Sequence, residues 1–165
     1  MLGEILENVR SKSPMIQNIT NYVTANDCAN ITLACGASPT MSDGEEEAEE
    51  MGRLCDGLNI NMGTLHPRSV KAMLLAGKSV GSCGHPIVLD PVGAGASTCR
   101  RKTAEQLLRE ISFTAIRGNI SEIKTIAGGG NSSKGVDADG ADTVTDENLE
   151  KTITFAKDFS KKTGA

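Results

Sequence analysis

Trp is absent from this 165-residue chain, and only one Tyr and three Phe stand beside 18 Gly. Those shortages exclude an aromatic-packed β-sandwich and leave an aliphatic core with tight turns, the composition of alternating strands and helices. Basic residues are also in deficit: 17 Lys and Arg against 21 Asp and Glu give a formal charge of −4, and acids crowd together from Glu45 to Glu50. A chain without a basic stripe lacks what a nucleic-acid backbone requires, so nucleic acid is not an expected partner. Any bound phosphate has to be held by backbone N–H groups, helix ends, a few cations or a metal. No C-x-x-C pair occurs among the five cysteines at 28, 35, 55, 83 and 99, which argues against a disulfide framework or a zinc site and for idle thiols in a reducing compartment. No run reaches the roughly 18 apolar residues of a membrane span, and the opening MLGEILENVR has no signal-peptide core. The expectation is a soluble cytoplasmic protein of one domain, burying about two-thirds of its unfolded surface.

What is present is a repeating strand and helix pattern. Residues 2–9 have helical spacing and 14–19 form a short extended run. A helix over 23–34, with Val23, Cys28, Ile31 and Leu33 among small residues, should end at Gly36 as a left-handed cap. Ser42 and Glu45 have the spacing of a capping box, predicting a helix over 44–54 whose glutamates form a solvated face. Residues 58–62 read as a buried strand, Pro67 opens a helix to about 82, and 86–89 is an apolar strand of the parallel type. A helix over 102–110, a strand over 113–116 and a helix over 119–127 repeat the scheme. The stretch 128–140 is loop-like, and a last helix over 147–162 ends in Lys161, Lys162 and Gly164. Strands separated by helices imply right-handed crossovers and a parallel sheet, the α/β class.

Ligands of open parallel sheets gather beyond the carboxyl ends of the strands. The residues falling there are Thr20 and Asn21, Met41, Gly63 and Thr64, Asp90 to Ala96, and Arg117 to Glu122. The segment Asp90-Pro-Val-Gly-Ala-Gly-Ala-Ser97 puts a carboxylate before two glycines, which suits either a plain strand-to-turn transition or a phosphate or Mg²⁺ site. It is no dinucleotide fingerprint, and no P-loop occurs. Asn119 and Glu122 have capping-box spacing, which explains both without any ligand, whereas Arg117 at a strand end is well placed for polyphosphate. Asp137, Asp139 and Asp142 do not complete a calcium loop, because the twelfth position is Asn148. His66 and His85 each precede a proline and read as loop or surface residues.

Taken together, Ile19-Thr-Asn-Tyr-Val23, Gly36-Ala-Ser-Pro-Thr-Met-Ser42, Asn61-Met-Gly-Thr64, Leu89-Asp-Pro-Val-Gly-Ala-Gly-Ala96 and Ile116-Arg-Gly-Asn119 through Glu122 resemble the hydroxyethylthiazole kinase family. The resemblance runs along essentially the whole chain. It implies a ribokinase-like α/β fold, a parallel sheet flanked by helices, and transfer of a phosphoryl group from ATP, with Mg²⁺, to the primary hydroxyl of 4-methyl-5-(2-hydroxyethyl)thiazole in thiamine biosynthesis. Carried over by position, it implies that Asn21, Met41 and Gly63 line the thiazole pocket, that Arg117 and Asn119 serve ATP, and that Asp90 and Glu122 serve Mg²⁺. It also implies a homotrimer.

Two departures accompany the resemblance. Gln17 stands where many members carry His. Members also run longer, and their further segment holds the glycine-rich helix start that forms the anion hole and the residue nearest the substrate hydroxyl. Residues 1–165 are therefore expected to be a single incomplete kinase domain with no catalytic residue of its own, negligible turnover and an exposed parallel edge. The competing expectations are a non-catalytic ligand-binding or assembly module and a kinase of another vitamin-precursor alcohol.

Overall fold

A computed structural model of the chain describes residues 2–128 and 142–165. Asp137, Asp139 and nearly all of the loop expected at 128–140 lie outside the described residues. Five strands form a parallel sheet in the order β2-β1-β3-β4-β5, with helices between them in sequence. The chain divides into two compact units, residues 1–87 and 88–165.

In the first unit, α1 (Leu2–Lys12) leads into β1 (Met15–Ile19), α2 (Ala25–Cys35), β2 (Ser38–Thr40), α3 (Ala48–Leu54), β3 (Gly57–Asn61) and α4 (Pro67–Ser82). β1 lies between β2 and β3, with Gln17 opposite Thr40 on one side and Leu58 on the other. A strand with neighbours on both sides is buried, and Gln17, Asn18 and Ile19 are buried accordingly. Leu58, Ile60 and Met62 from β3 and its exit join Ala72, Met73, Ala76 and Val80 of α4 to make an aliphatic core. Gly52 lets α3 approach α4 closely, since a Cβ there would lie 3.0 Å from Ser79 Cβ and 3.2 Å from the Ala76 carbonyl oxygen. Ser79 Oγ completes that contact by donating to the Glu49 carbonyl at 2.7 Å.

Three local expectations change here. α2 starts at Ala25 and none of its residues is buried; Val23 is 88% exposed, and Ile31 and Leu33 also face outward. Helical spacing defines an apolar face without saying what covers it. Gly36 does close the helix, at φ +93°. The helix expected from 44 begins at Ala48, because Ser42 is buried in the preceding loop and its Oγ donates to Glu47 Oε1 at 2.6 Å instead of capping a helix. His66 turns out to be a helix cap: its Nδ1 accepts from the Ser69 amide at 3.2 Å, and the His66 amide donates back to Ser69 Oγ at 3.1 Å.

In the second unit, β4 (Ile87–Asp90) runs in from the first, followed by α5 (Thr98–Glu110), β5 (Ala115–Ile116), α6 (Ile120–Ile126) and α7 (Leu149–Thr163). Val88 pairs with Ala115 and Leu89 with Ile116, and the Arg117 amide extends the ladder by donating to the Leu89 carbonyl at 2.9 Å. α5 starts before the expected residue 102, because Ser97 caps it by accepting from the Arg100 amide at 3.2 Å. β5 is shorter than the expected 113–116, although Phe113 is buried with Leu107, Ile111 and Ile126. α7 closes at Gly164, φ +78°, after the basic turn of Lys161 and Lys162. Among the described residues, no helix is long and apolar enough to cross a membrane.

Candidate active site

Two clusters occupy strand ends, one in each unit. In the first unit, the loop after β1 and the loop after β3 are joined by side-chain amides. Asn21 Oδ1 accepts the Val23 and Thr24 amides, both at 3.0 Å, which shapes the entry to α2. Its Nδ2 donates to Asn61 Oδ1 at 3.0 Å, and that same oxygen accepts the Gly63 amide at 2.8 Å. Gly63 is required by this closeness: a Cβ there would stand 2.7 Å from Asn21 Cβ and 2.9 Å from Asn61 Oδ1. Tyr22 adds a second tie, its amide donating to Thr64 Oγ1 at 3.4 Å and its hydroxyl lying 3.1 Å from His66 Nε2. Because His66 Nδ1 accepts an amide proton, the neutral ring carries its proton on Nε2 and donates it to the Tyr22 hydroxyl. Met41, 38% exposed, follows the last residue of β2 and offers a polarizable thioether. Amides, a glycine surface and a thioether, none of them charged, suit a neutral polar organic group better than a phosphate.

The second unit holds the charged cluster. Asp90 ends β4 and is 6% exposed, while Arg117, just past β5, reaches its Oδ2 with Nη1 at 2.5 Å. The guanidinium is largely exposed, so it can engage an anion from solvent while holding the carboxylate in place. Glu122, 4% exposed, uses both oxygens on the backbone: Oε1 accepts the Gly93 amide at 2.8 Å and Oε2 the Asn119 amide at 2.9 Å. Asn119 Oδ1 in turn accepts the Glu122 amide at 2.9 Å, so the reciprocal cap expected from the sequence is formed. Gly93 has φ +64°, a left-handed turn that aims its amide at the carboxylate.

Among the described residues no three His, Cys, Asp or Glu side chains converge as a metal cage. Mg²⁺ does not need one, because it takes one or two carboxylates and fills its remaining positions with water and phosphate oxygens. Asp90 and Glu122 supply oxygens of the hard type that Mg²⁺ takes, but both Glu122 oxygens already accept backbone amides and Asp90 Oδ2 accepts from Arg117, so a bound ion would have to share them. Asp142 is accounted for differently, accepting from Ser121 Oγ at 2.8 Å and pairing with Lys124. His85 sits with Nδ1 2.8 Å from the Cys55 carbonyl and has no part in either cluster.

Residues 6–162 match the model of the hydroxyethylthiazole kinase family. The chain belongs to the hydroxyethylthiazole kinase family. Hydroxyethylthiazole kinases from Clostridium acetobutylicum and Desulfovibrio desulfuricans are 61% and 48% identical to it over all 165 residues. A solved hydroxyethylthiazole kinase from Pyrococcus horikoshii OT3 is 44% identical, with a TM-score of 0.72, matching 76% of this chain and 49% of that one. The chain spans 60% and 58% of the length of the two bacterial kinases.

Asn21, Met41, Gly63, Asp90, Arg117 and Asn119, expected at or just beyond strand ends, stand there in the structure, and Glu122 lies in the first turn of α6. No part was expected of Asn61, although it joins Asn21 to Gly63. The available signal was an Asn closing a buried strand two residues before a glycine, the spacing of an Asx turn. The Tyr22–His66 pair carries no comparable signal, since its members lie 44 residues apart, and Gln17 stands out by the resemblance alone, its partner Ser42 lying 25 residues away.

Proposed function

We propose that this chain belongs to a kinase that transfers the γ-phosphoryl group of ATP to the hydroxyl of 4-methyl-5-(2-hydroxyethyl)thiazole, serving thiamine biosynthesis in the cytoplasm. Residues 1–165 form part of one ribokinase-like domain of that enzyme, which works as a homotrimer. The observation that carries the reading is the Asp90–Arg117 pair, a buried carboxylate and an exposed guanidinium at adjacent strand ends, in a chain 61% identical over its length to a hydroxyethylthiazole kinase.

Asn21, Met41 and Gly63 line the thiazole, where uncharged groups accept a neutral ring without the desolvation penalty of a buried charge. Arg117 and Asn119 face the ATP phosphates. Asp90 and Glu122 would hold Mg²⁺, which supplies charge neutralisation for the phosphates when bound. Phosphoryl transfer depends on positioning more than on covalent help from the protein. Glu122 contributes to positioning by keeping the Gly93 turn and the start of α6 in one arrangement. Arg117 neutralises phosphate charge from a strand end tied to β4 by its own amide, which donates to the Leu89 carbonyl at 2.9 Å.

The reading is tested on a protein in which this chain is continued by the remaining segment of the Clostridium acetobutylicum relative. ADP release that depends on the thiazole alcohol is expected, and Arg117→Ala should lower kcat/KM about a hundredfold. The same substitution takes a charged partner from the buried Asp90 carboxylate, so stability should also fall, by about 1–3 kcal/mol. Turnover confined to a pyrimidine alcohol, or none with either alcohol, would overturn the assignment.

A further inference from the structure

Gln17 is the least explained residue of the first unit. It sits in β1, which has a strand on either side, fully buried beside the buried apolar Ile19, Leu58 and Ile60. Its Oε1 has no hydrogen-bond partner among the described residues. A buried acceptor without a donor is destabilising, and methionine would fill a similar volume with no unpaired oxygen. Packing therefore does not account for an amide at this position. The other end of the amide does: Nε2 donates to the Ser42 carbonyl at 3.1 Å. Gln17 is the register partner of Thr40, the last residue of β2, so its side chain reaches beyond the strand end to the second residue of the loop. Met41 is the residue spanned by that reach. On its far side the loop is fastened again, where Ser42 Oγ donates to Glu47 Oε1 at 2.6 Å and the Ala48 amide donates to the Gly44 carbonyl at 3.0 Å.

We infer that Gln17 is a positioning residue for the thiazole end of the site: its amide holds the Ser42 carbonyl and so sets where Met41 presents its thioether. The inference rests on the thiazole reading of Met41 given above. It explains why an unpaired oxygen is retained in the sheet interior, as the accompaniment of an N–H that the loop uses.

The test is Gln17→Met in the protein continued to the length of its relatives. Removing the orphan oxygen and depriving the Ser42 carbonyl of its donor act in opposite directions on stability, so the melting temperature should stay within about 4 °C of the parent. KM for the thiazole alcohol should rise about three- to tenfold, the effect of one lost hydrogen bond, with kcat within about twofold. Backbone amides of Glu47 and Ala48, which close onto the Gly44 carbonyl, should exchange with solvent faster. Gln17→His, which retains an N–H donor, should return KM toward the parent value. An unchanged KM, a His variant as impaired as the Met variant, or a Met variant that melts far below the parent would each overturn the proposal. The last would make Gln17 a stability element. A parent protein with no thiazole turnover fails the kinase reading instead, and amide exchange then still decides whether Gln17 holds the loop.

Discussion

Replacing Gly63 by alanine adds one methyl group at the most crowded glycine beside the uncharged cluster. The new Cβ would lie 2.7 Å from Asn21 Cβ, 2.9 Å from Asn61 Oδ1 and 3.0 Å from Asn21 Cγ. The closest of these falls about 0.7 Å inside the 3.4 Å at which ordinary contact begins. Gly63 is not in the left-handed region, so the penalty is steric and not conformational. Neither obstacle is the loose end of a long side chain, because Asn21 is fixed by three hydrogen bonds and Asn61 Oδ1 by two. Overpacking of this kind costs about 1–3 kcal/mol. Forcing the two asparagines apart also removes their mutual hydrogen bond, about 1 kcal/mol more. The sum, about 2–4 kcal/mol, corresponds to a melting temperature lowered by about 4–16 °C in a protein of this size. Thermal melting followed by circular dichroism measures it, and calorimetric titration with the thiazole alcohol should show weakened binding. Gly3 supplies the control: it lies in α1 with nothing within 4 Å of its would-be Cβ, and alanine there should stabilise by about 0.5–1 kcal/mol. A Gly63→Ala protein that melts within about 1 °C of the parent would refute the steric argument.

Glu122→Gln leaves one carbonyl oxygen for two backbone donors and turns an NH₂ toward the other, so urea denaturation should show a loss of about 1–3 kcal/mol. The same variant should bind Mg-ATP more weakly in the continued protein. Cys55 is buried, and burial first, then the neighbouring Asp56 charge, pushes its thiol above the ordinary 9.0. A raised value favours the protonated thiol in the folded chain. Its contribution to stability is thus intact below about pH 9 and lost as pH climbs through the higher folded value. Melting temperatures measured from pH 8 to 11 should therefore fall more steeply for the parent than for Cys55→Ala, and parallel curves would contradict this.

How much of this was legible in the sequence depended on distance along the chain. Features written within a few residues survived: Gly36 and Gly164 as helix stops, and Asn119 with Glu122 as a reciprocal cap. Strand ends were also legible, because a short apolar run stopping at Asp90 or Ile19 marks where the chain leaves the sheet. Ser42 shows the limit. Its spacing to Glu45 promised a cap, but a buried donor from β1 claims its carbonyl and Glu47 claims its hydroxyl. Local pattern lost to a tertiary contact. The outward Val23, Ile31 and Leu33 show the same limit from the other side, since periodicity records which residues share a face and nothing about its cover. The Asn21–Asn61–Gly63 junction joins positions 40 residues apart, a relation that only the sheet order reveals.

The carboxylate of Glu122 grips two separate stretches of backbone, one at the threshold of α6 and one in the glycine turn after β4. Order in that turn is consequently conditional on the first coil of a seven-residue helix, and the two should melt and re-form as one cooperative unit. Lys124→Gly, in the last turn of that helix and paired with Asp142, would then be felt in the glycine turn as faster opening of the Gly93 amide.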